Sequence, residues 1–339
     1  MIYVVIVFLW TSILLYILLG GADFGAGIIE LFTSEQNRSK TRKTMYEAIG
    51  PIWEANHMWL IIAIVILFVG FPKIYTTISV YLHIPLVCML LGIIARGTAF
   101  VFRNYDAVKD DMQKLYTPIF VYSSLITPFF LGIIAASSVS GQIDVQAPDF
   151  LSAYVFSWLN WFSVTVGIFT VSICGYLATI FIIGQADNEE SKAHFIRKAK
   201  RTVLVVMASG ALVFIAAYFE HIPLTNWIFG GWPGITAIVA ASISLIVLFY
   251  MLYRNRPILL RLLAGFQVTM ILFAATYTHF PNIVLLKNGP NLSLLLHQGQ
   301  TKTIDTLGYA LLTGSLFILP ALFYLIYIFQ QKGSETDDH

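Results

Sequence analysis

Apolar residues run along this chain in long unbroken blocks. Nine stretches of at least about 18 residues, the length that crosses a bilayer as a helix, can be marked. They cover roughly 3–32, 44–71, 74–103, 116–138, 151–185, 202–219, 232–253, 257–281 and 305–330. The ten-residue alternation of apolar and polar positions that marks an outer-membrane barrel is absent. The pattern predicts an all-α integral membrane protein of about nine transmembrane helices.

The linkers add a layout. After the first block comes Ser34 to Thr44, acidic first and basic second, and after the fifth come Asp187 to Glu190 and then Lys192 to Thr202 in the same order. Four blocks separate the two linkers, so two repeated units would share orientation and relate by an axis along the membrane normal. The expected arrangement is two four-helix bundles plus one peripheral helix. The units are 1–138 and 139–281, with an outer loop, a ninth helix and a cytoplasmic tail over 282–339.

Composition agrees with a membrane solvent: 58% of the 339 residues are hydrophobic and 11% charged, and mean hydropathy is +0.78. The net charge of +2 carries no basic cluster of the kind that binds nucleic acid, and that class drops out. Cys88 and Cys174 stand alone in apolar runs, which encodes neither a disulfide framework nor a zinc site. The N-terminus lacks the basic region and cleavage site of a signal peptide, so the first span is expected to be retained. Sixteen of the 20 Lys and Arg residues fall on the side that also holds the 34–44 and 187–202 linkers, against Lys73, Lys287 and Lys302 on the other, with Arg96 inside a span. The positive-inside rule then predicts a multi-pass protein of the cytoplasmic membrane with its N-terminus outside and its C-terminus in the cytoplasm.

Charges inside apolar spans are costly, roughly 2.5 to 3.5 kcal/mol at a span centre, so those present call for a reason. Asp23 lies in Gly20-Gly21-Ala22-Asp23-Phe24-Gly25-Ala26-Gly27, Glu54 and His57 in Trp53-Glu54-Ala55-Asn56-His57-Met58-Trp59-Leu60, and Arg96 in Ile94-Ala95-Arg96-Gly97. At about 1.5 Å per residue, Asp23, Glu54 and Arg96 all sit about 10 to 15 Å from the cytoplasmic boundary. Glu54 and His57 share a helical face, and Glu47 precedes Glu54 by seven residues on that face. The arrangement has the form of a proton path open to the inside. An Asp23–Arg96 ion pair that fixes helix register, with glycines allowing close helix approach, is the structural reading of the same residues.

Metal readings are weaker. Glu54-Ala55-Asn56-His57 is an E-x-x-H, but a di-iron bundle needs a second copy, which the chain lacks. His57, His83 and His279 are the span histidines and form no evident ligand pair, so no intrinsic haem or metal is expected. Gln267 and Asn160 read as helix–helix glue, and Trp227, Trp232 and Tyr277 as interfacial anchors.

The glycine-rich Asp23 segment, the basic linker, Gly50-Pro51-Ile52-Trp53-Glu54-Ala55-Asn56-His57-Met58-Trp59-Leu60, and Arg96 with Phe102-Arg103 together resemble subunit II of the cytochrome bd quinol oxidases. The specific part of the resemblance is the first 105 or so residues. It implies a heterodimer in the cytoplasmic membrane that oxidises quinol and reduces oxygen to water. Haem b, haem d and the quinol site are then expected in subunit I, and a small accessory membrane subunit is a further expected partner beside membrane lipid. Subunit II would support its partner and conduct cytoplasmic protons toward the oxygen-reducing haem. The implied proton-pathway residues are Glu54, Asp23, His57 and Glu47, with Trp53, Asn56 and Arg96 in support. Some members carry an Asp where this chain has Gly20, and an Asp where it has Glu54, so the path here is one titratable group shorter. The alternative from another class is a proton-coupled secondary transporter, which would break helices at matching positions in both halves.

Overall fold

The computed structural model of the chain describes residues 1–33, 42, 45, 53–105, 113–183, 189–254 and 256–335. Nearly all of it is helix. Helix α1 spans Ile2–Leu31 and is interrupted by one π-helical turn, Tyr16–Gly20. Then come α2 (Trp53–Gly70), α3 (Pro72–Tyr81), α4 (His83–Tyr105) and α5 (Gln113–Ser140). A short α6 (Phe150–Tyr154) precedes α7 (Trp161–Ile183) and α8 (Glu189–Phe219). The chain continues through α9 (Leu224–Phe229), α10 (Trp232–Met251), α11 (Pro257–Thr276) and α12 (Thr301–Glu335). Strands β1 (Asn282–Val284) and β2 (Leu292–Ser293) form a small antiparallel pair before α12.

Among the described residues, eight helices are long and apolar enough to cross a membrane. A ninth span results when α2 and α3, bent by 115° at their junction, are counted as one broken span. Three boundaries differ from the apolar blocks. The third block, from 74, is broken: α3, opened by Pro72, ends at Tyr81, and α4 begins at His83 with Pro85 in its first turn, where proline is tolerated as it is not in a helix interior. The fifth block, from 151, opens with α6, capped by Asp149 accepting from the Ser152 N–H at 2.9 Å, and α7 starts afresh at Trp161. Helix α8, which carries the sixth block, starts at Glu189, thirteen residues before that block, since Lys, Arg, Glu and Ala favour helix and Phe195, Ile196 and Ala199 are buried against the bundle. The linker residues 34–41, 43–44 and 184–188, on which the repeat reading rests, lie outside the described residues.

Helix α7 is the hub: it packs against α1, α5, α8 and α11, while α4 packs on α5 and α10 on α11. The largest apolar cluster fills the space between the second half of α1, α7, α8, α10 and α11, around Leu177, Ile180, Ala199, Leu248 and Ala264. A second cluster lies at the Met1 end, where Val5, Leu9, Ile66, Phe71, Ile74, Ile143, Val284 and Ile304 meet beneath the β-hairpin. Helix α12 lies outside, against α1 and α2. The N-terminus of α7 is closed by a carboxylate from elsewhere in the chain. Glu220, just past α8, accepts from the N–H groups of Trp161 (2.7 Å) and Phe162 (3.2 Å), and Asn160 Oδ1 accepts from the Ser163 N–H at 2.8 Å. Asn160 is thus a helix cap rather than glue between spans. Trp227 packs against Phe162 and His279, whereas Trp232 is exposed in keeping with an anchor.

Candidate functional site

The second half of α1 threads between α5 and α7 at backbone contact distance. A Cβ on Gly25 would overlap the Cys174 carbonyl of α7, and one on Gly27 would overlap the Ser124 side chain of α5. Glycine is required at both because only a bare backbone fits. This close approach buries every residue from Gly20 to Glu30, two carboxylates included.

Each carboxylate meets an arginine from α4. Asp23 and Arg96 are both 1% exposed, with Arg96 Nη2 2.7 Å from Asp23 Oδ1. The same Nη2 donates to the Asp23 carbonyl at 3.0 Å, and Nε donates to Ser124 Oγ at 3.0 Å. The guanidinium lies over the rings of Phe24 and Phe120, 5.0 and 4.9 Å from their centroids. Ser124 in turn donates to the Phe120 carbonyl at 2.7 Å, so three helices are tied at one level. One oxygen of the pair is left over. Asp23 Oδ2 has no hydrogen bond among the described residues, and His57 Nε2 on α2 stands 3.9 Å from it.

The imidazole of His57 is held in a cage of rings. Tyr16, Phe24 and Trp53 surround it with centroids 6.1, 5.8 and 6.3 Å away, and Trp53 also stacks obliquely on Phe100 of α4 at 4.9 Å. Asn56 is buried. Three of the sequence-predicted path and support residues on separate helices, Asp23, His57 and Arg96, therefore converge, with Trp53 as the wall between α2 and α4. Glu54 occupies the second position of α2, one turn before His57; its side chain lies outside the described residues, as does the whole of Glu47.

A second pair was not anticipated from sequence. Arg103 Nη1 donates to both oxygens of Glu30, at 3.1 and 2.9 Å, and the two side chains are each 3% exposed. Arg103 lies 4.1 Å from the Phe120 centroid, so the same ring touches both guanidiniums. Glu30 follows Asp23 by seven residues and Arg103 follows Arg96 by seven. A parallel pair of helices repeats a contact every seven residues, about 10 Å along the axis, so α1 and α4 form a two-rung ladder. That matched spacing was the available signal. It was overlooked because Glu30 lies at the end of a span and Arg103 reads as an ordinary loop cation.

The family model for cytochrome bd terminal oxidase subunit II matches residues 1–329. The chain belongs to that family. It is 30% identical over 206 residues to cytochrome bd ubiquinol oxidase subunit 2 of Bacillus subtilis, 59% of this chain and 58% of that one. It is 24% identical over 180 residues to cytochrome bd-I ubiquinol oxidase subunit 2 of Escherichia coli strain K12, 50% of this chain and 46% of that one. These matches thus span about half the length of those curated relatives. The fold is that of a chain in the bd oxidase structure from Geobacillus thermodenitrificans, with a TM-score of 0.76 at 20% identity, covering 96% of this chain and 98% of that one.

Membership in a bd oxidase subunit family agrees with the eight helices that are long and apolar enough to cross a membrane among the described residues. It also raises the question of haem. The three span histidines do not fit a ligand pair: His57 faces Asp23, His83 Nδ1 sits 2.8 Å from the Val80 carbonyl, and His279 stacks edge-on against Trp227 at 4.4 Å. Among the described residues no three His, Cys, Asp or Glu side chains converge as metal ligands would.

Proposed function

We propose that this chain is the haem-free partner in a heterodimeric bd-type quinol:oxygen oxidoreductase, and that it conducts cytoplasmic protons toward the oxygen-reduction site of subunit I. Haem b and haem d in that subunit supply the oxygen chemistry. In this reading the N-terminus is outside and the Leu31 end of α1 faces the cytoplasm. Protons enter by Glu47 and Glu54, pass one turn along α2 to His57, and meet the unshared oxygen of Asp23.

The observation that carries the reading is the division of labour at Asp23. Arg96 binds Oδ1, while Oδ2 remains turned toward His57 and free of any hydrogen bond among the described residues. At 3.9 Å the imidazole lies near that oxygen but outside hydrogen-bond distance. The imidazole accepts at one nitrogen and releases at the other. Support of the partner falls to the same region, where Trp53 and Phe100 pack α2 on α4.

A secondary transporter would need interrupted helices at matching places in both halves; α1 carries a π turn, but α7, its counterpart, runs without a break from Trp161 to Ile183.

The test uses the assembled complex. Glu54→Gln keeps shape and hydrogen bonding without a titratable carboxyl. It is expected to assemble with wild-type haem content and to consume oxygen at least about tenfold more slowly, as for loss of a proton-transfer group. Wild-type respiration in this variant would remove Glu54 from the path. Orientation is tested separately: cysteines placed in 187–201 should be shielded from an impermeant thiol reagent in intact cells and those in 140–148 labelled. The reverse pattern would put the proton entry on the wrong side.

A further inference from the structure

The polar cluster has one more member that neither the sequence motifs nor the ladder accounts for. Tyr16 sits at the midpoint of the thirty-residue α1 and is 3% exposed, and its hydroxyl has no hydrogen-bond partner among the described residues. Phenylalanine would fill the same space with no hydroxyl to leave unsatisfied, so the oxygen needs a reason.

Three features aim it at the site. The ring lies directly on Gly20, where an added Cβ would come within 3.1 Å of two ring carbons, so the glycine lets the phenol lie flat along the helix. The five-residue π turn Tyr16–Gly20 occurs at this point, a distortion that is found mostly as single turns inside α-helices and is frequent at functional sites. The ring then stands 6.1 Å from His57 and 6.2 Å from Phe24, centroid to centroid. The titratable or charged groups whose fields reach the phenol are Arg96 of α4, Asp23 of α1 and Cys174 of α7. His57 of α2 completes its surroundings.

We propose that the Tyr16 hydroxyl is the relay between His57 and the unshared Asp23 oxygen, which stand 3.9 Å apart, beyond direct hydrogen-bond reach. The step balances without storing charge on the phenol: its oxygen accepts one proton from the His57 imidazolium while its own O–H proton passes to Asp23 Oδ2, and rotation of the hydroxyl resets it. A neutral relay suits a mid-membrane position because an ionised one would be costly there. The proposal rests on the proton-conduction reading above.

Tyr16→Phe, tested in the purified full complex beside Glu54→Gln, removes only the oxygen. The expected result is wild-type haem content, a fall in oxygen consumption of about tenfold or more, and an increased solvent deuterium isotope effect on turnover. A purely structural tyrosine would leave the isotope effect unchanged. Gly20→Ala provides a second variant: its methyl presses on the ring, and it should slow turnover while leaving the hydroxyl in place. If Tyr16→Phe turns over at the wild-type rate while Glu54→Gln is slow, Tyr16 is not the relay and the path reading survives. If both variants are wild-type, both readings fail. A Tyr16→Phe chain that no longer assembles would make the hydroxyl a structural group and overturn the proposal.

Discussion

Across α1, α4 and α5, acidic and basic side chains bridge the helices: Asp23 with Arg96 and Glu30 with Arg103, all nearly inaccessible. Across α7, α8, α10 and α11 the bridging side chains are mostly neutral types. There Tyr176 donates to Gln267 Oε1 at 2.6 Å, Gln267 reaches Ser244 at 3.4 Å, and Thr179 and Thr202 share a hydrogen bond at 2.9 Å. Arg261 donates to the Phe181 carbonyl at 3.0 Å. Neutral hydrogen bonds of this kind suffice to register helices in a membrane, at about 0.6 to 2 kcal/mol each. Buried ion pairs give little net stability, since desolvation offsets most of the attraction. The contrast teaches that neutral hydrogen bonds suffice to register membrane helices, so the buried charges of α1 and α4 call for a further reason, and the proton path proposed through Asp23 supplies one.

Breaking the first rung should have the largest effect. Arg96→Met alone leaves Asp23 as an uncompensated buried charge, a loss of about 3 to 5 kcal/mol, and the subunit should be nearly absent from purified complex. The double variant Asp23→Leu/Arg96→Met removes both charges and should recover assembly by gel filtration while oxygen consumption stays low. Recovery of both assembly and activity would reduce the pair to a structural clasp and erase the contrast. The second rung should respond in the same direction but less strongly, because Glu30 and Arg103 lie nearer the span ends where water is closer. Glu30→Gln is expected to lower thermal stability of the complex, and Glu30→Gln with Arg103→Met to restore most of it. Among the neutral bridges, Gln267→Leu should cost about 1 kcal/mol, lower Tm slightly and leave turnover per haem unchanged. A large loss of turnover from Gln267→Leu would mean that α7, α8, α10 and α11 also conduct.

Much of the fold was legible because membrane helices announce themselves by length and apolarity, and a single apolar block needs no knowledge of its neighbours. The errors fell where local chemistry competes with hydropathy. The short helices that Pro72 and Asp149 start end inside blocks that read as continuous, and the charged 189–201 segment begins a helix before hydropathy would. Asp23, Arg96 and His57 were visible as charges and a base in costly places. Glu30 was not, because an acid at a span end has an unremarkable explanation in solvent. Its burial depends on α1 passing between α5 and α7, which the Gly25 and Gly27 contacts allow.

The sequence by itself determined that this is a helical membrane protein, which spans exist, and which of them carry charges that water cannot solvate. Each of those properties is set by a short stretch of chain against a fixed lipid thickness. Only the tertiary structure decided that Arg96 belongs to Asp23, that Glu30 and Arg103 form a second rung, that His57 faces the unshared oxygen, and that Tyr16 lies along Gly20 toward them. Those are contacts between residues tens of positions apart, or a local twist whose meaning depends on what lies across from it. They are fixed by helix packing and by where the glycines let backbones meet.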